Sequence, residues 1–169
     1  LDMNKLESGK ETIESASFDL KHLMDDVASL VNAQITEMGI THCTHRGELT
    51  HTRLIGSPLR LRQIMLNLFS NAIKYNKPGG MIDTYAGEVS CDGTRVVYEF
   101  RITDSGIGMS SEFIEKELFH PFTQEKSGAR TQYKGTGLGM SIVKELIEKM
   151  QGTIEVTSQQ GVGTTYVFR

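Results

Sequence analysis

A stripe of amide side chains is the first feature of this 169-residue chain that could do chemistry. Gln63, Asn67, Asn71 and Lys74 recur three or four residues apart in an otherwise apolar segment. At about 100° per residue, they share one face of a helix. Amide oxygens can ligate Mg²⁺, and a neighbouring ammonium group can neutralise phosphate. Asparagine is a poor helix former, so a metal and phosphate site explains the stripe better than a plain solvated face.

Two glycine-rich strings come later in the chain. Residues 104–109 (Asp-Ser-Gly-Ile-Gly-Met) follow a predicted strand, and their glycines would let the backbone approach a ligand closely. Residues 134–139 (Lys-Gly-Thr-Gly-Leu-Gly) lead into a predicted helix, whose free N–H groups and dipole favour phosphate. The second string matches neither a Walker A loop nor a dinucleotide-binding fingerprint. Taken alone, the first string also suits a tight turn and the second a structural hinge.

Three helices and several strands are predicted to position these residues. Asp19 is a good N-cap for a helix over 20–38, and Ser57 followed by Pro58 opens a second helix that ends near residue 75. A third helix is predicted over 137–150. Strands are predicted over 41–46, 52–55, 81–89, 95–103, 153–157 and 164–168. Hairpin-paired strands beside three helices predict an α+β fold, a two-layer sandwich with the helices on one face of a mixed sheet.

Composition and charge exclude some functions. The net charge is −3 and no dense run of Lys and Arg is present, so we expect no nucleic-acid partner. No apolar stretch approaches the roughly 18–20 residues of a membrane helix. Cys43 and Cys91 are expected to be reduced thiols rather than a disulfide. His42, Cys43, His45 and His51 match no standard zinc spacing, so a strand with a polar edge is the preferred interpretation there.

The order of the motifs resembles the catalytic domain of sensor histidine kinases, a branch of the GHKL superfamily of ATPases and kinases. The amide-rich helix, the Asp-x-Gly-x-Gly string, residues 119–122, the Gly-Thr-Gly-Leu-Gly string and residues 161–164 look like the family's N, G1, F, G2 and G3 boxes. The resemblance implies a Bergerat-type ATP-binding fold with a mostly antiparallel sheet over residues 11–169. Residues 1–10 resemble the C-terminal end of the family's dimerisation and phosphoacceptor helix.

The resemblance also implies roles for individual residues. Asp104 would accept a hydrogen bond from the adenine amino group, with support from Thr164. Asn71, with Asn67 nearby, would ligate Mg²⁺. The residues expected to bind ATP are Asn67, Asn71, Lys74, Tyr75, Asp104, Gly106, Ile107, Gly108, Met109, Phe122, Lys134, Gly135, Thr136, Gly137, Leu138, Gly139 and Thr164.

The polar, weakly periodic segment over 110–132 is long enough to predict a functional lid. By the same resemblance, Phe119 and Phe122 would be its apolar pins, and the lid would close over ATP. Asn76 stands where the family commonly has Thr, and we expect it to affect stability at most.

Asn67 separates two branches of the superfamily. Members that hydrolyse ATP resemble one another in having a Glu there as general base for water. The resemblance therefore implies transfer of the γ-phosphate to a histidine rather than hydrolysis. None of the five histidines stands in the family's phosphoacceptor box, so the phosphoacceptor and the catalytic base are both expected outside this chain, which should not phosphorylate itself.

The implied partners are the dimerisation domain of the same protein, in a homodimer, and a downstream response regulator. The implied location is cytoplasmic, and the sequence leaves open whether the parent is an inner-membrane sensor. Two alternatives stay open. One is a non-catalytic module that senses nucleotide. The other is a Ser/Thr kinase such as the anti-sigma-factor kinases. The resemblance of residues 1–10 to a dimerisation helix is evidence against this second alternative.

Overall fold

A computed structural model describes residues 13–125 and 139–169. Its helices are α1 (Leu20–Glu37), α2 (Pro58–Lys74), α3 (Ser111–Lys116) and α4 (Gly139–Lys149). Its strands are β1 (Ala16–Asp19), β2 (Thr41–Arg46), β3 (Arg53–Gly56), β4 (Met81–Cys91), β5 (Val96–Asp104), β6 (Ile154–Gln159) and β7 (Gly163–Phe168). The helix end predicted at residues 1–10 and the string over 134–138 lie outside the described residues.

Within the described residues, the strands form one five-stranded sheet and one two-stranded sheet. The larger sheet has the order β2-β4-β5-β7-β6, in which β2 runs parallel to β4 and every other pair is antiparallel. The small sheet pairs β1 with β3, with Ala16 opposite Gly56. The predicted α+β class and the mixed, mostly antiparallel sheet are therefore confirmed.

Both predicted helix starts are confirmed by their capping bonds. The Asp19 carboxylate accepts the His22 N–H at 3.0 Å, and the Ser57 hydroxyl oxygen accepts the Arg60 N–H at 3.4 Å. Pro58 occupies the first turn of α2, where its missing N–H costs nothing. The caps and the apolar spacing together determine where α1 and α2 begin.

The core lies between the helices and one face of the larger sheet. On β5 the buried residues Tyr98, Phe100 and Ile102 alternate with the more exposed Val97 and Arg101, as the two-residue period of a strand requires. Phe100 stacks on Phe168, its partner on β7, with ring centroids 4.8 Å apart. Helix α2 packs against α1, α4 and β5, so it is the central element of the helical layer.

The segment predicted as an irregular lid contains a short helix, α3. Ser110 caps it by accepting the Phe113 N–H at 3.2 Å, and Phe113 and Leu118 bury their side chains in the core. The apolar residues are too few to give a clear helical period, which is why the sequence predicted irregular structure. In the part of the chain that the structure describes, no helix is long and apolar enough to cross a membrane.

Candidate functional site

Asp104 is the last residue of β5 and one of the few buried acidic side chains among those described. Because it follows Ile102 by two residues, it lies on the same core-facing side of the strand. The residue is 5% exposed, and its Oδ1 accepts the Gly106 N–H at 2.9 Å. The central strand of the sheet thus holds a carboxylate at its C-terminal end, beside the end of α2.

Glycines let the loop after Asp104 approach its neighbours more closely than any other residue could. A Cβ on Gly106 would lie 2.2 Å from the Tyr75 carbonyl oxygen, which accepts the Ile107 N–H at 3.0 Å. Gly108 has a φ of 67°, and a Cβ there would lie 2.0 Å from the Gln159 carbonyl oxygen. The loop over 104–109 is therefore held between the end of α2 and the turn that joins β6 to β7.

Asn76 connects the end of α2 to this loop, a role that the sequence did not reveal. Its side chain is 1% exposed, and its Nδ2 donates to the Met81 carbonyl at 3.1 Å. Its Oδ1 accepts the Lys77 N–H at 2.9 Å and the Ser105 hydroxyl at 3.3 Å. Sequence analysis expected only an effect on stability, but these bonds also fix the residue next to Asp104. The sequence singled out Asn76 only as a departure from the family's usual Thr, because an asparagine after a helix usually indicates a turn.

Thr164 lies opposite Asp104 in the β5–β7 ladder and is buried. Its hydroxyl lies 2.8 Å from the Ser158 hydroxyl, which accepts the Met109 N–H at 2.7 Å. Ser158 therefore links Met109, the last residue of the loop, to Thr164 on β7. The sequence analysis did not identify Ser158, because a serine in a strand of alternating residues has no distinguishing pattern.

The amide stripe runs along α2 towards the same region. Asn67, Asn71 and Lys74 are all partly buried, and the Lys74 ammonium lies 5.1 Å from the centroid of the Tyr75 ring. Tyr75 ends the helix and makes the backbone contact with the loop over 104–109. The stripe and the loop thus meet at one end of the fold, while Gly139 begins α4, which packs on α2. Lys134 to Leu138 lie outside the described residues.

The two phenylalanines expected to pin the lid differ in their surroundings. Phe119 packs against the core, with the Lys144 ammonium 5.1 Å from its ring centroid. Phe122 is 75% exposed on left-handed backbone with a φ of 61°. The buried Glu125 accepts the Ser110 N–H at 3.1 Å and so ties the last described residue of this segment to its beginning. Of the two phenylalanines, Phe119 packs against the core and Phe122 does not.

Comparisons with known proteins show the family to which this chain belongs. A family model described as histidine kinase-, DNA gyrase B- and HSP90-like ATPase matches residues 56–169, more than half of the chain. The chain belongs to this family. Within the family it is an ATP-binding catalytic domain of the histidine kinase type, as its relatives indicate.

Two curated relatives illustrate the likeness. The hybrid signal transduction histidine kinase B of Dictyostelium discoideum is 37% identical over 168 residues. The signal transduction histidine-protein kinase BarA of Escherichia coli K12 is 36% identical over 168 residues. Each alignment covers 99% of this chain, but only 8% and 18% of the respective relative. The chain therefore spans less than a fifth of the length of these kinases.

Solved structures of histidine kinases share the fold of this family member. The nucleotide-free catalytic domain of histidine kinase ThkA is 29% identical with a TM-score of 0.73, and the match covers 92% of this chain and 93% of that one. Full-length ShkA in complex with AMPPNP is also 29% identical with a TM-score of 0.73. That match covers 94% of this chain and 31% of ShkA.

The close packing of Gly106 leads to a stability prediction. Gly106→Ala should lower the free energy of unfolding by about 1–3 kcal/mol, because the added methyl meets the Tyr75 carbonyl and the loop must shift. Gly139→Ala is the matched control, since a Cβ there meets no atom of the described residues within 4 Å. Urea unfolding monitored by circular dichroism measures both. Equal stability of the two variants would contradict the packing described for the loop.

Proposed function

We propose that the chain binds ATP and Mg²⁺ between α2 and the loop over 104–109, for transfer of the γ-phosphate to a histidine of a dimerisation domain. The observation that carries the proposal is the buried carboxylate of Asp104 beside a backbone that tolerates only glycine. An ionised carboxylate only accepts hydrogen bonds, which suits the exocyclic amino group of adenine. Membership of the family and the likeness to AMPPNP-bound ShkA support the same ligand.

In this proposal Asp104 recognises the base, and its neighbours keep the carboxylate oriented. The Gly106 N–H holds Oδ1. Asn76 bonds to the Met81 carbonyl on the neighbouring strand and to the hydroxyl of Ser105, the residue after Asp104. Thr164, opposite Asp104, contributes its hydroxyl, which Ser158 orients. A group held in this way needs little rearrangement when a ligand arrives, which favours affinity.

Asn71, with Asn67, is proposed to hold Mg²⁺ through amide oxygens. The residues present fit the ion, because Mg²⁺ takes oxygen ligands and keeps several waters, so that one or two protein ligands suffice. When bound, the ion neutralises phosphate charge. Lys74 on the same face of α2 adds a positive charge. Lys134 to Gly139 are proposed to hold the triphosphate at the start of α4, where free helical N–H groups favour anions.

Asn67 supports phosphotransfer rather than hydrolysis. An amide cannot accept a proton from water near neutral pH, so this position offers no general base. A histidine imidazole from another domain needs no such activation, because it is already a nucleophile. The contribution of this chain is then to position the nucleotide and to neutralise its charge.

The proposed partners follow from the same reaction. The phosphoacceptor would be a histidine on the dimerisation domain of the parent protein, which we propose to be a homodimer, and residues 1–10 would be the end of that domain's helix. A response regulator would receive the phosphoryl group afterwards. We further propose a cytoplasmic location for the domain.

Replacing the adenine acceptor tests the pocket. Asp104→Asn should weaken binding of a non-hydrolysable ATP analogue by about 100-fold or more, because a charged acceptor is replaced by an amide. Calorimetric titration in the presence of Mg²⁺ measures the affinity. Asp83→Asn is the matched control: this carboxylate on β4 pairs with His45 at 2.9 Å on the surface, and its loss should leave binding unchanged. Undiminished affinity of Asp104→Asn would refute the pocket.

The metal ligand has a separate test. Asn71→Ala should lower the affinity for the analogue about tenfold with Mg²⁺ present, and should change it little without Mg²⁺, because the amide acts through the ion. Asn32→Ala, on the exposed side of α1, controls for loss of an asparagine from a helix. The assignment is wrong if Asn71→Ala weakens binding equally with and without Mg²⁺.

A further inference from the structure

A histidine, a glutamate and a cysteine meet at the end of the larger sheet that is remote from Asp104. His51 lies in the connection between β2 and β3, Glu88 lies in β4, and Cys91 ends β4. One ligand atom from each side chain lies within 4.8 Å of the other two. In the β4–β5 ladder Ile82 pairs with Asp104, and Glu88 follows Ile82 by six residues, about 20 Å along the strand. The cluster is therefore separate from the proposed nucleotide site.

A β-bulge brings Glu88 and Cys91 to the same face. In a regular strand, residues three apart point to opposite faces. Here the register shifts between Glu88 and Ser90, so that Glu88 pairs with Tyr98 and Cys91 pairs with Val96. Tyr98 and Val96 are two residues apart on β5 and share a face, so their partners do as well. Bulges re-aim side chains in this way.

Glu88 and His51 hold each other in place. The Glu88 side chain is only 10% exposed, and its Oε2 accepts the His51 backbone N–H at 3.1 Å. Its Oε1 lies 2.8 Å from the His51 Nδ1. The Tyr98 hydroxyl donates to the His51 carbonyl at 2.6 Å and so fixes the backbone of the histidine. Together these contacts keep the Glu88 carboxylate beside the His51 ring.

The turn after Cys91 is ordered by Asp92. Its carboxylate accepts the Arg95 N–H at 2.7 Å and the Thr94 N–H at 2.8 Å, and these bonds lower its pKa to about 2. The Gly93 N–H donates to the Cys91 sulfur at 3.4 Å. The Cys91 side chain therefore belongs to a defined turn.

We propose that His51, Glu88 and Cys91 form a zinc-binding site with water as the fourth ligand. Imidazole nitrogen, carboxylate oxygen and thiolate sulfur are the ligands that Zn²⁺ takes in proteins. A tetrahedral site with Zn–N, Zn–O and Zn–S distances of about 2.0–2.3 Å separates its ligand atoms by about 3.3–3.7 Å. Small side-chain rotations therefore suffice to close the site around the ion. The thiolate makes the site unsuited to Mg²⁺, so it does not compete for the ion that accompanies ATP.

The two other histidines that share this region of the sequence are engaged elsewhere. The His42 Nε2 lies 3.0 Å from the Thr84 hydroxyl, and the His45 Nε2 pairs with Asp83 at 2.9 Å. Both histidines belong to β2, in agreement with the sequence-based prediction of a strand with a polar edge. His51 alone of the three reaches Glu88 and Cys91, because it stands in the loop beyond that strand.

Titration of the 169-residue chain with Co²⁺, followed by competition with Zn²⁺, tests the site. One Co²⁺ should bind with a thiolate charge-transfer absorption that Zn²⁺ abolishes. Cys91→Ser should remove that absorption, and both Cys91→Ser and His51→Ala should lower the Zn²⁺ affinity at least about tenfold. Cys43→Ser, at the other cysteine of the chain, is the matched control and should keep both properties. Circular dichroism checks that each variant is folded. A charge-transfer band that survives Cys91→Ser, or equal Zn²⁺ affinity of Cys91→Ser and the parent chain, would overturn the proposal.

Discussion

The burial of the Asp104 carboxylate is the constraint around which this end of the molecule is built. A carboxylate taken out of water costs several kcal/mol unless hydrogen-bond donors or an opposite charge compensate. The Gly106 N–H offsets part of this cost, and Gly163 lets β7 lie close to the Asp104 backbone, because a Cβ there would meet the Asp104 carbonyl oxygen. Asn76 then anchors the same loop to the end of α2. Fold stability and the proposed ligand pocket therefore depend on the same contacts.

Helix α2 packs on the core with one face and carries the proposed Mg²⁺ ligands on the other. Leu61, Ile64 and Leu68 bury one side against the core, while Asn67 and Asn71 stand on the other. Asparagine lowers helix propensity, so the stripe weakens the helix by itself, and burial of the apolar face offsets that loss. The helix that carries the proposed Mg²⁺ ligands is thus stabilised by packing of its apolar face, and not by the helix propensity of the asparagines.

The sequence predicted those parts of the structure that depend on residues close together along the chain. The caps at Asp19 and Ser57 and the apolar periods located α1 and α2, and the predicted strand placed Asp104 at a strand end. What could not be predicted depends on contacts between distant segments. Asn76 binds Ser105 across 29 residues, and Ser158 receives the N–H of Met109 across 49 residues. The bulge in β4 is similarly invisible, because it appears only when β4 is aligned with β5.

The most direct test of the account is phosphotransfer in trans. The 169-residue chain would be mixed with γ-labelled ATP, Mg²⁺ and the separately purified histidine-bearing dimerisation domain of the same protein. The account predicts an acid-labile label on the added domain, none on the chain itself, and no label when the acceptor histidine is replaced. Binding of ATP without any label on the added domain, or steady hydrolysis by the chain alone, would contradict it.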